Sequence, residues 1–102
     1  MKRVLVRYTV KAGHVEENER YITSVFEQLD REKTPGLRYA SFKLDDGVSF
    51  AHIASNETAD DSNPLAELPA FKVFVAGIKD RCEQPPVVAE LSEIGSYRFF
   101  GQ

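Results

Sequence analysis

Two hydrophobic periodicities follow one another along this 102-residue chain, and their order constrains the fold more than any other feature. Residues 3–10 alternate between apolar and polar side chains, as a half-buried strand does, whereas residues 14–32 repeat their apolar side chains at helical spacing. The same patterns predict strands at 37–44 and 48–55, a second helical stretch at 64–82 and a last long strand at 87–100. The order is therefore strand, helix, strand, strand, helix, strand.

Glycine- and proline-containing segments separate these elements. Asp45-Asp46-Gly47 joins the two central strands as a short hairpin loop, in which Gly47 can take a positive φ. Pro69 is predicted at the first position of the main part of the second helical stretch. Gly95 predicts a bulge or bend within the last strand.

The length of the hairpin loop predicts which side chains share a face of the sheet. If Leu44 pairs with Val48, the strands pair Phe42 with Phe50 and Ala40 with His52. This face is the more aromatic one of the hairpin, and we expect it to lie beneath the helices. The same register places Tyr39 on the opposite face.

The element order is that of a single ferredoxin-like domain over residues 1–102, an α+β fold in which helices cover one face of a four-stranded antiparallel sheet. The other face would carry Leu5, Tyr39, Ala51 and Ile53, a set too apolar to remain in water. A second copy packed sheet to sheet would cover it. We therefore expect a homodimer, and whether the last strand exchanges between protomers stays open.

Composition excludes several classes of protein. The net charge is −3, so the chain lacks the basic surface that nucleic acid requires. No apolar run approaches the roughly 18 residues of a membrane span, so we expect no membrane partner. The start MKRVLVRYTV enters a strand pattern directly, which predicts no signal peptide. The single cysteine, Cys82, fits a reducing compartment, and we expect the protein in the cytoplasm.

Two segments carry a resemblance to a known family. They are Val-Arg-Tyr-Thr-Val-Lys-Ala-Gly-His at 6–14 and Thr-Pro-Gly-Leu-Arg-Tyr at 34–39. With these segments and its element order, nearly the whole chain resembles the dimeric α/β-barrel superfamily, in its branch similar to antibiotic biosynthesis monooxygenases. The resemblance implies a homodimer whose two sheets form a barrel, with a ligand pocket between the sheet and the helices of each protomer.

The resemblance implies several activities, and the residues of this chain exclude one of them, the degradation of haem. Some relatives oxidise polyketide quinol precursors with O₂ and use neither metal nor flavin, some degrade haem, some isomerise small lactones, and others have no known activity. The haem-degrading relatives use a tryptophan, a first-strand asparagine and a histidine on the second helix. This chain has no tryptophan, carries Val6 and Tyr8 on its first strand, and has no histidine within 64–82. We therefore expect no haem, no metal and no other cofactor.

Three polar residues are the candidates for catalysis. His52 faces the helices in the predicted register, where an imidazole can act as a general base or bind a phenol, because its pKa lies near neutrality. Asn18 takes an inward position on the first helix and can bind a substrate carbonyl or pair with His52, while Tyr8 can donate to a substrate oxygen. A purely structural role stays open for each of them.

Aromatic side chains are the candidates for binding an aromatic substrate, although their spacing is equally that of ordinary core residues. They are Phe26, Phe42, Phe50, Phe71 and Phe74.

The other charged or reactive groups are assigned structural roles. Arg7 is expected at the dimer interface with Glu90 or Glu93 as its partner. Cys82, at the negative end of a helix, is assigned no catalytic role. The paired carboxylates Asp45-Asp46 and Asp60-Asp61 are assigned to loops, because no further ligand stands at metal-binding spacing.

Two functions follow from these observations. The first is an oxidoreductase: a cofactor-free monooxygenase that acts with O₂ on an aromatic or quinol-like molecule, which Tyr8, Asn18 and His52 orient or deprotonate. The second is a non-catalytic dimer that binds an apolar or aromatic small molecule or supports a stress response. An enclosed cavity of about 300 Å³ beside His52 and Asn18 favours ligand binding, whereas a solid core favours a structural role.

Overall fold

The computed structural model of the chain describes residues 2–60 and 62–99, and its elements follow the predicted order. The strands are β1 (Lys2–Val10), β2 (Leu37–Lys43), β3 (Ser49–Asn56) and β4 (Cys82–Glu90). A 3-10 turn at Ala12–His14 leads into the long helix α1 (Val15–Glu32), and three short helices follow β3: α2 (Pro64–Glu67), α3 (Pro69–Ala76) and α4 (Ile78–Arg81).

The four strands form one antiparallel sheet in the order β2-β3-β1-β4, with β3 and β1 in the centre. The core lies between one face of this sheet and the helices, and Tyr8, Val10 and Phe50 point into it with no more than 2% of their surface exposed. This is the ferredoxin-like α+β fold that the periodicity predicts, and that prediction is confirmed.

The turn between α1 and β2 requires a glycine. Lys33 ends α1 in the left-handed conformation, with φ at 49°, and its N–H donates to the Leu29 carbonyl. Gly36 then takes a φ of 71°, and its carbonyl accepts from the Glu57 N–H. A β-carbon at Gly36 would lie 2.7 Å from Cγ2 of Thr58, so a larger residue could not pass here without a shift of the backbone.

The second helical stretch is divided into three pieces and is not continuous over 64–82. Pro69 occupies the first turn of α3, as predicted, and the residue before it, Leu68, is extended because proline disfavours helical geometry at that position. Gln28 of α1 caps the new helix, since its Oε1 accepts from the Ala70 N–H at 2.8 Å. Gly77 then separates α3 from α4.

The prediction of a strand at 87–100 is wrong at both ends. β4 begins at Cys82 and includes Pro85 and Pro86, because a proline at the edge of a sheet leaves no ladder hydrogen bond unmade. It ends at Glu90, and residues 91–99 form no strand, so Gly95 makes no bulge. The register shifts instead earlier, opposite Arg7 and Thr9 of β1. Phe100 lies outside the described residues.

The predicted hairpin register is wrong by one residue, and this error moves every side chain of β2 to the other face. The Leu44 N–H donates to the Ser49 carbonyl, so Leu44 lies opposite Ser49 and not Val48, and four residues, 45–48, lie between the paired positions where three were predicted. Ser41 therefore pairs with His52 and Phe42 with Ala51. Tyr39 and Ser41 face the helices, whereas Phe42 is 49% exposed on the outer face of the sheet.

Candidate functional site

The three predicted catalytic residues lie close together beneath the helices. Tyr8 and His52 stand on the neighbouring strands β1 and β3, and Asn18 reaches them from the second turn of α1. All three are buried, with exposed fractions of 2% for Tyr8, 4% for His52 and 0% for Asn18. The alternation and helical spacing of the sequence are sufficient to bring these residues to one place.

A chain of hydrogen bonds connects them. Nδ2 of Asn18 donates to the Tyr8 hydroxyl at 2.9 Å, and that hydroxyl lies 2.8 Å from Nε2 of His52. Asn18 therefore reaches His52 through Tyr8 and not directly. Both polar atoms of its amide have a partner inside the protein, the nitrogen at Tyr8 and the oxygen at Arg81, as buried polar groups ordinarily do.

The imidazole is held on its other side by β2. The hydroxyls of Tyr39 and Ser41 lie 2.8 and 2.7 Å from Nδ1 of His52. Sequence analysis missed both residues, because the register error placed Tyr39 and Ser41 on the outer face. The signal that could have found them is the loop itself, since Asp46 accepts from the N–H groups of Val48 and Ser49 and so fixes a four-residue connection.

The chain of hydrogen bonds ends, on the side of the helices, at a buried arginine. Arg81 is 3% exposed, and its Nε donates to Oδ1 of Asn18 at 3.2 Å while Nη2 donates to the Phe74 carbonyl at 2.8 Å. Its guanidinium lies over the Tyr21 ring, 4.5 Å from the centroid. Within the described residues no carboxylate lies within 4 Å of it. Sequence reasoning missed Arg81, because a basic residue in the last turn of a helix ordinarily points to solvent.

Burial keeps these groups uncharged at neutral pH. It lowers the pKa of His52 from 6.5 to about 4, so the imidazole is neutral. Burial also raises the pKa of Tyr39 to about 12 and raises that of Tyr8 well above its ordinary value, so both phenols keep their protons. The centre is thus neutral imidazole between two protonated phenols.

A cavity of about 310 Å³ opens beside this centre, between the sheet and the short helices. Tyr8, Tyr39 and His52 supply polar groups to its wall, and most of the remaining lining is apolar. Asn18 and Arg81 stand behind that wall. The other lining residues are Val4, Val6, Ala54, Asn56, Asn63, Leu65, Phe71, Phe74, Val75, Ile78, Pro86 and Val88.

The five phenylalanines predicted to bind an aromatic ligand take different places. Phe71 and Phe74 line the cavity. Phe26 stacks on Tyr39 and Phe50 stacks on Tyr8, with ring centroids 5.1 and 5.6 Å apart, so these two support the wall from behind. Phe42 lies on the opposite face of the sheet, and its assignment to the pocket is wrong because of the register error.

One polar atom of the cavity wall lacks a partner. Oδ1 of Asn56 is buried and has no hydrogen-bond partner among the described residues. Asn56 ends β3, four residues after His52 and on the same face. A buried carbonyl oxygen without a donor is costly, so this atom marks a place where a bound molecule would gain a hydrogen bond.

The remaining candidates take structural roles. Arg7 is exposed, and the expected partner Glu93 binds Arg3 instead, with Nη1 and Oε1 2.6 Å apart. Cys82 is buried, and burial raises the pKa of its thiol. Asp46 closes the hairpin loop, and Asp60 accepts from the Ser62 N–H, while Asp61 lies outside the described residues.

Two features are absent from the described residues. No group of three or more histidine, cysteine, aspartate or glutamate side chains in residues 2–60 and 62–99 is arranged to hold a metal ion. None of the helices described has both the length and the apolar character needed to cross a membrane.

Comparison with solved structures shows that the fold is that of antibiotic biosynthesis monooxygenase structures. One crystal structure with that name superposes with a TM-score of 0.75 at 15% identity, over 93% of this chain and 100% of that one. A point variant of SnoaB, a cofactor-independent oxygenase from Streptomyces nogalater, gives 0.69 at 16% identity, over 93% and 94%. A protein of unknown function from Nitrosomonas europaea gives 0.72 at 12% identity, over 94% and 91%.

Comparisons by sequence add nothing to this likeness. No protein-family model matches the chain, and no curated protein matches it. At identities of 12–16% the structural likeness establishes the fold that the sequence resemblance predicted. A fold does not determine the reaction, which depends on the residues of the cavity.

Proposed function

We propose that this protein is a cofactor-independent monooxygenase that oxidises an aromatic, quinol-like molecule with O₂. The observation that carries the proposal is the cavity of about 310 Å³ in which Tyr8, Tyr39 and His52 concentrate polar groups at one part of an otherwise largely apolar wall. Ligand pockets combine an apolar lining with a few placed polar groups in this way. SnoaB, which shares the fold, is described as a cofactor-independent oxygenase.

The wall suits a flat ring. Phe71 and Phe74 line the cavity as neighbours, with centroids 5.9 Å apart, and the Tyr39 ring meets Phe71 edge to face. Aromatic surfaces in these arrangements bind further aromatic rings favourably. The oxygen atoms of a quinol would then point towards the phenols and the imidazole.

The overall reaction needs no resident redox group. With a naphthohydroquinone, one oxygen atom of O₂ enters the ring as a hydroxyl group and the other leaves as water. The substrate supplies all four electrons and becomes a hydroxyquinone. The contribution of the protein is to bind the substrate, orient it and stabilise the negative charge that develops on its oxygen before electron transfer to O₂.

The hydrogen-bond chain supports orientation more than proton removal. Both ring nitrogens of His52 are engaged by hydroxyls of the protein, and its pKa of about 4 makes it a weak base for a phenol. Tyr39, which lines the cavity, therefore positions and polarises the substrate, while His52 and Tyr8 hold Tyr39 in place and Asn18 acts through Tyr8.

Oxygen consumption with 1,4-naphthohydroquinone, corrected for spontaneous oxidation in buffer, tests this function. The wild-type protein should accelerate consumption and place one atom of ¹⁸O from ¹⁸O₂ in the product. His52→Gln and Asn18→Leu should each lower the protein-dependent rate at least about tenfold. Phe71→Leu, in the cavity wall, should also lower it, whereas Phe42→Leu, on the outer face, should not. Turnover at the wild-type rate in both polar variants would show that the assigned roles are wrong.

A non-catalytic ligand-binding function is the second candidate, and one observation favours it. His52 has no free ring nitrogen with which to act as a base. Binding of the hydroquinone without any protein-dependent oxygen consumption is the result expected for this candidate.

The outer face of the sheet supports the further proposal of a homodimer. Beside polar side chains such as Arg3, Arg7, Thr9 and Arg38, it carries a group of partly or largely exposed apolar side chains: Leu5, Ala40, Phe42, Ala51, Ile53, Val87 and Ala89. A second copy packed on this face would remove it from water. We also propose a reducing compartment such as the cytoplasm, because the single cysteine is a free buried thiol.

A further inference from the structure

The hydrogen bonds around His52 have a direction, which begins at Arg81. A guanidinium can only donate, so the atom of Asn18 that faces Nε of Arg81 must be the amide oxygen. The amide nitrogen is thereby turned towards the Tyr8 hydroxyl, 2.9 Å away, and donates to it. Arg81 thus fixes the orientation of the Asn18 amide, with its oxygen towards Arg81 and its nitrogen towards Tyr8.

This orientation determines the tautomer of His52. Tyr8 accepts from Asn18, and its own proton needs an acceptor, which Nε2 of His52 provides at 2.8 Å. If Nε2 carried a proton instead, the Tyr8 oxygen would accept twice and its buried hydroxyl proton would have no partner among the described residues. The imidazole proton therefore resides on Nδ1, which faces Tyr39 and Ser41.

The direction of these hydrogen bonds then decides which donors and acceptors the cavity presents to a ligand. Because Nδ1 is a donor, the oxygens of Tyr39 and Ser41 are its acceptors, and neither hydroxyl proton is used by the imidazole. Of the two residues, Tyr39 lines the cavity. Ser41 also hydrogen-bonds to Tyr39 and lowers the pKa of its phenol, as a donor to that oxygen does, so the Tyr39 O–H is left to donate to a bound molecule.

We infer that the cavity binds an aromatic molecule with a polar group at each end: an oxygen acceptor held by Tyr39 and a hydroxyl donor held by Oδ1 of Asn56. Arg81 and Asn18 are positioning residues, which set this polarity by fixing the direction of the hydrogen bonds. The Tyr39 hydroxyl lies 2.8 Å from Nδ1 of His52, and the backbone of Asn56 is four residues further along β3, about 13 Å at roughly 3.3 Å per residue, so the two polar residues reach the cavity at different places. Charge-assisted hydrogen bonds are the stronger ones, so a phenolate or a carboxylate is the acceptor that the Tyr39 hydroxyl would hold best.

The tautomer can be measured without any ligand, so this part does not depend on the proposed function. Long-range ¹H–¹⁵N spectra of the ¹⁵N-histidine-labelled protein should show His52 protonated on Nδ1. In Asn18→Asp, which is nearly isosteric, the carboxylate should accept the Tyr8 proton and reverse the chain. His52 should then be protonated on Nε2. An Nε2–H tautomer in the wild type, or no change of tautomer in Asn18→Asp with the fold intact, overturns the inference.

Binding of three probes tests the ligand class, which rests on the proposed small-molecule site. Calorimetric titration should rank 6-hydroxy-2-naphthoate above both 6-methoxy-2-naphthoate, which lacks the donor, and 2-naphthol, which lacks the acceptor. Asn56→Leu should remove the difference between the hydroxy and methoxy compounds. Tyr39→Phe and Asn18→Asp should each weaken binding of the two naphthoates by about tenfold, which is one hydrogen bond to a charged group.

The possible outcomes separate the two proposals. An Nδ1–H tautomer with equal binding of all three probes, or with no binding, overturns the inferred ligand polarity even if the protein consumes oxygen with another substrate. Ranked binding as described, with no oxygen consumption, supports the inferred polarity and contradicts only the monooxygenase function.

Discussion

At the scale of single residues, the environment of His52 decides its chemistry. The imidazole touches side chains from β1 and β2 and is connected through Tyr8 to α1 and Arg81. Each neighbour supplies a hydroxyl or an amide, and none supplies a carboxylate that would stabilise an imidazolium. His52 is therefore held neutral by burial, as its pKa of about 4 reflects.

The depressed pKa of His52 predicts a loss of stability in mild acid. Between pH 6.5 and about 4 the unfolded chain binds a proton at His52 that the folded protein does not, so the free energy of unfolding falls as the pH is lowered through this window. The contribution between pH 7 and pH 5 should be roughly 2 kcal/mol. Denaturant unfolding at both pH values should show this difference in the wild type and not in His52→Gln.

His14 provides the matched control for this experiment. It lies at the start of α1 beside Glu17 and is not buried. His14→Gln should leave the additional acid sensitivity in place. An equal pH dependence in the wild type and in His52→Gln would show that the imidazole is not buried in its neutral form.

How far the site was predictable depends on the residue. Tyr8 and Asn18 were predicted because strand alternation and helical spacing direct them inwards. His52 was predicted inwards because it shares a face of the hairpin with Phe50, which holds although the predicted pairing of Phe42 with Phe50 is wrong. Tyr39 and Ser41 required the hairpin register, which a one-residue difference in loop length reverses. Arg81 was not predictable, because only the folded packing of α3 and α4 turns its guanidinium back onto Asn18 and the Phe74 carbonyl.

At the scale of elements, the β2–β3 hairpin places Tyr39 in the cavity. Asp46 holds the loop that sets its register: Oδ1 accepts from the Val48 and Ser49 N–H groups, and Oδ2 accepts from the Ser49 hydroxyl at 2.6 Å. These bonds lower the pKa of the Asp46 carboxyl, the Ser49 hydroxyl contributing most. A loop held this firmly keeps β2 from slipping by one residue.

Asp46→Ala should lower the melting temperature, and Asp45→Ala should not. Asp45 is the adjacent exposed loop carboxylate, so the pair of variants separates the loop hydrogen bonds from a general change in charge. The effect of Asp46→Ala should shrink as the pH falls below the usual range of an aspartate, because the unfolded chain then binds a proton that the folded loop does not, and it should vanish once the carboxyl is protonated in both states. Equal melting temperatures for the two variants at pH 7 would contradict this role of Asp46.

Element order was predictable and element ends were not. Periodicity gave the βαββαβ order, and it gave Pro69 as a helix start. The ends of β4 depend on its position at the sheet edge, which is a property of the assembled sheet and makes Pro85 and Pro86 acceptable strand residues. The second helical stretch is divided because the backbone of Leu68 is extended. Gln28 of α1 caps α3, the helix that begins after this residue.

At the scale of the whole molecule, one sheet face is covered by helices and the other is not. Phe50 on the covered face is 2% exposed, whereas on the outer face Phe42 is 49% exposed and Val87 is 69% exposed. Stable dimers bury about 1,200–2,000 Å² in total, which packing of two such faces could supply. The proposed homodimer therefore makes a definite prediction about Val87.

Val87→Arg should convert the protein from a dimer to a monomer of 11.5 kDa. The long charged side chain is tolerated in a monomer, where the position is largely exposed, but would be buried between two sheets. Val73→Arg, at a valine of α3 that is 58% exposed and away from the sheet, is the matched control and should remain dimeric. Light scattering at micromolar concentration decides between these states, and a monomeric wild type would contradict the dimer.

Access to the cavity gives the most direct test of the proposed function. Val88 lines the cavity from β4 and is 64% exposed, so Val88→Trp should obstruct the cavity without disturbing the core. Protein-dependent oxygen consumption with 1,4-naphthohydroquinone should fall at least about tenfold in Val88→Trp. It should stay at the wild-type level in Val73→Trp. Equal oxygen consumption by the wild type and Val88→Trp, or no acceleration over buffer by the wild type, would contradict the proposal that this cavity is the site of the reaction.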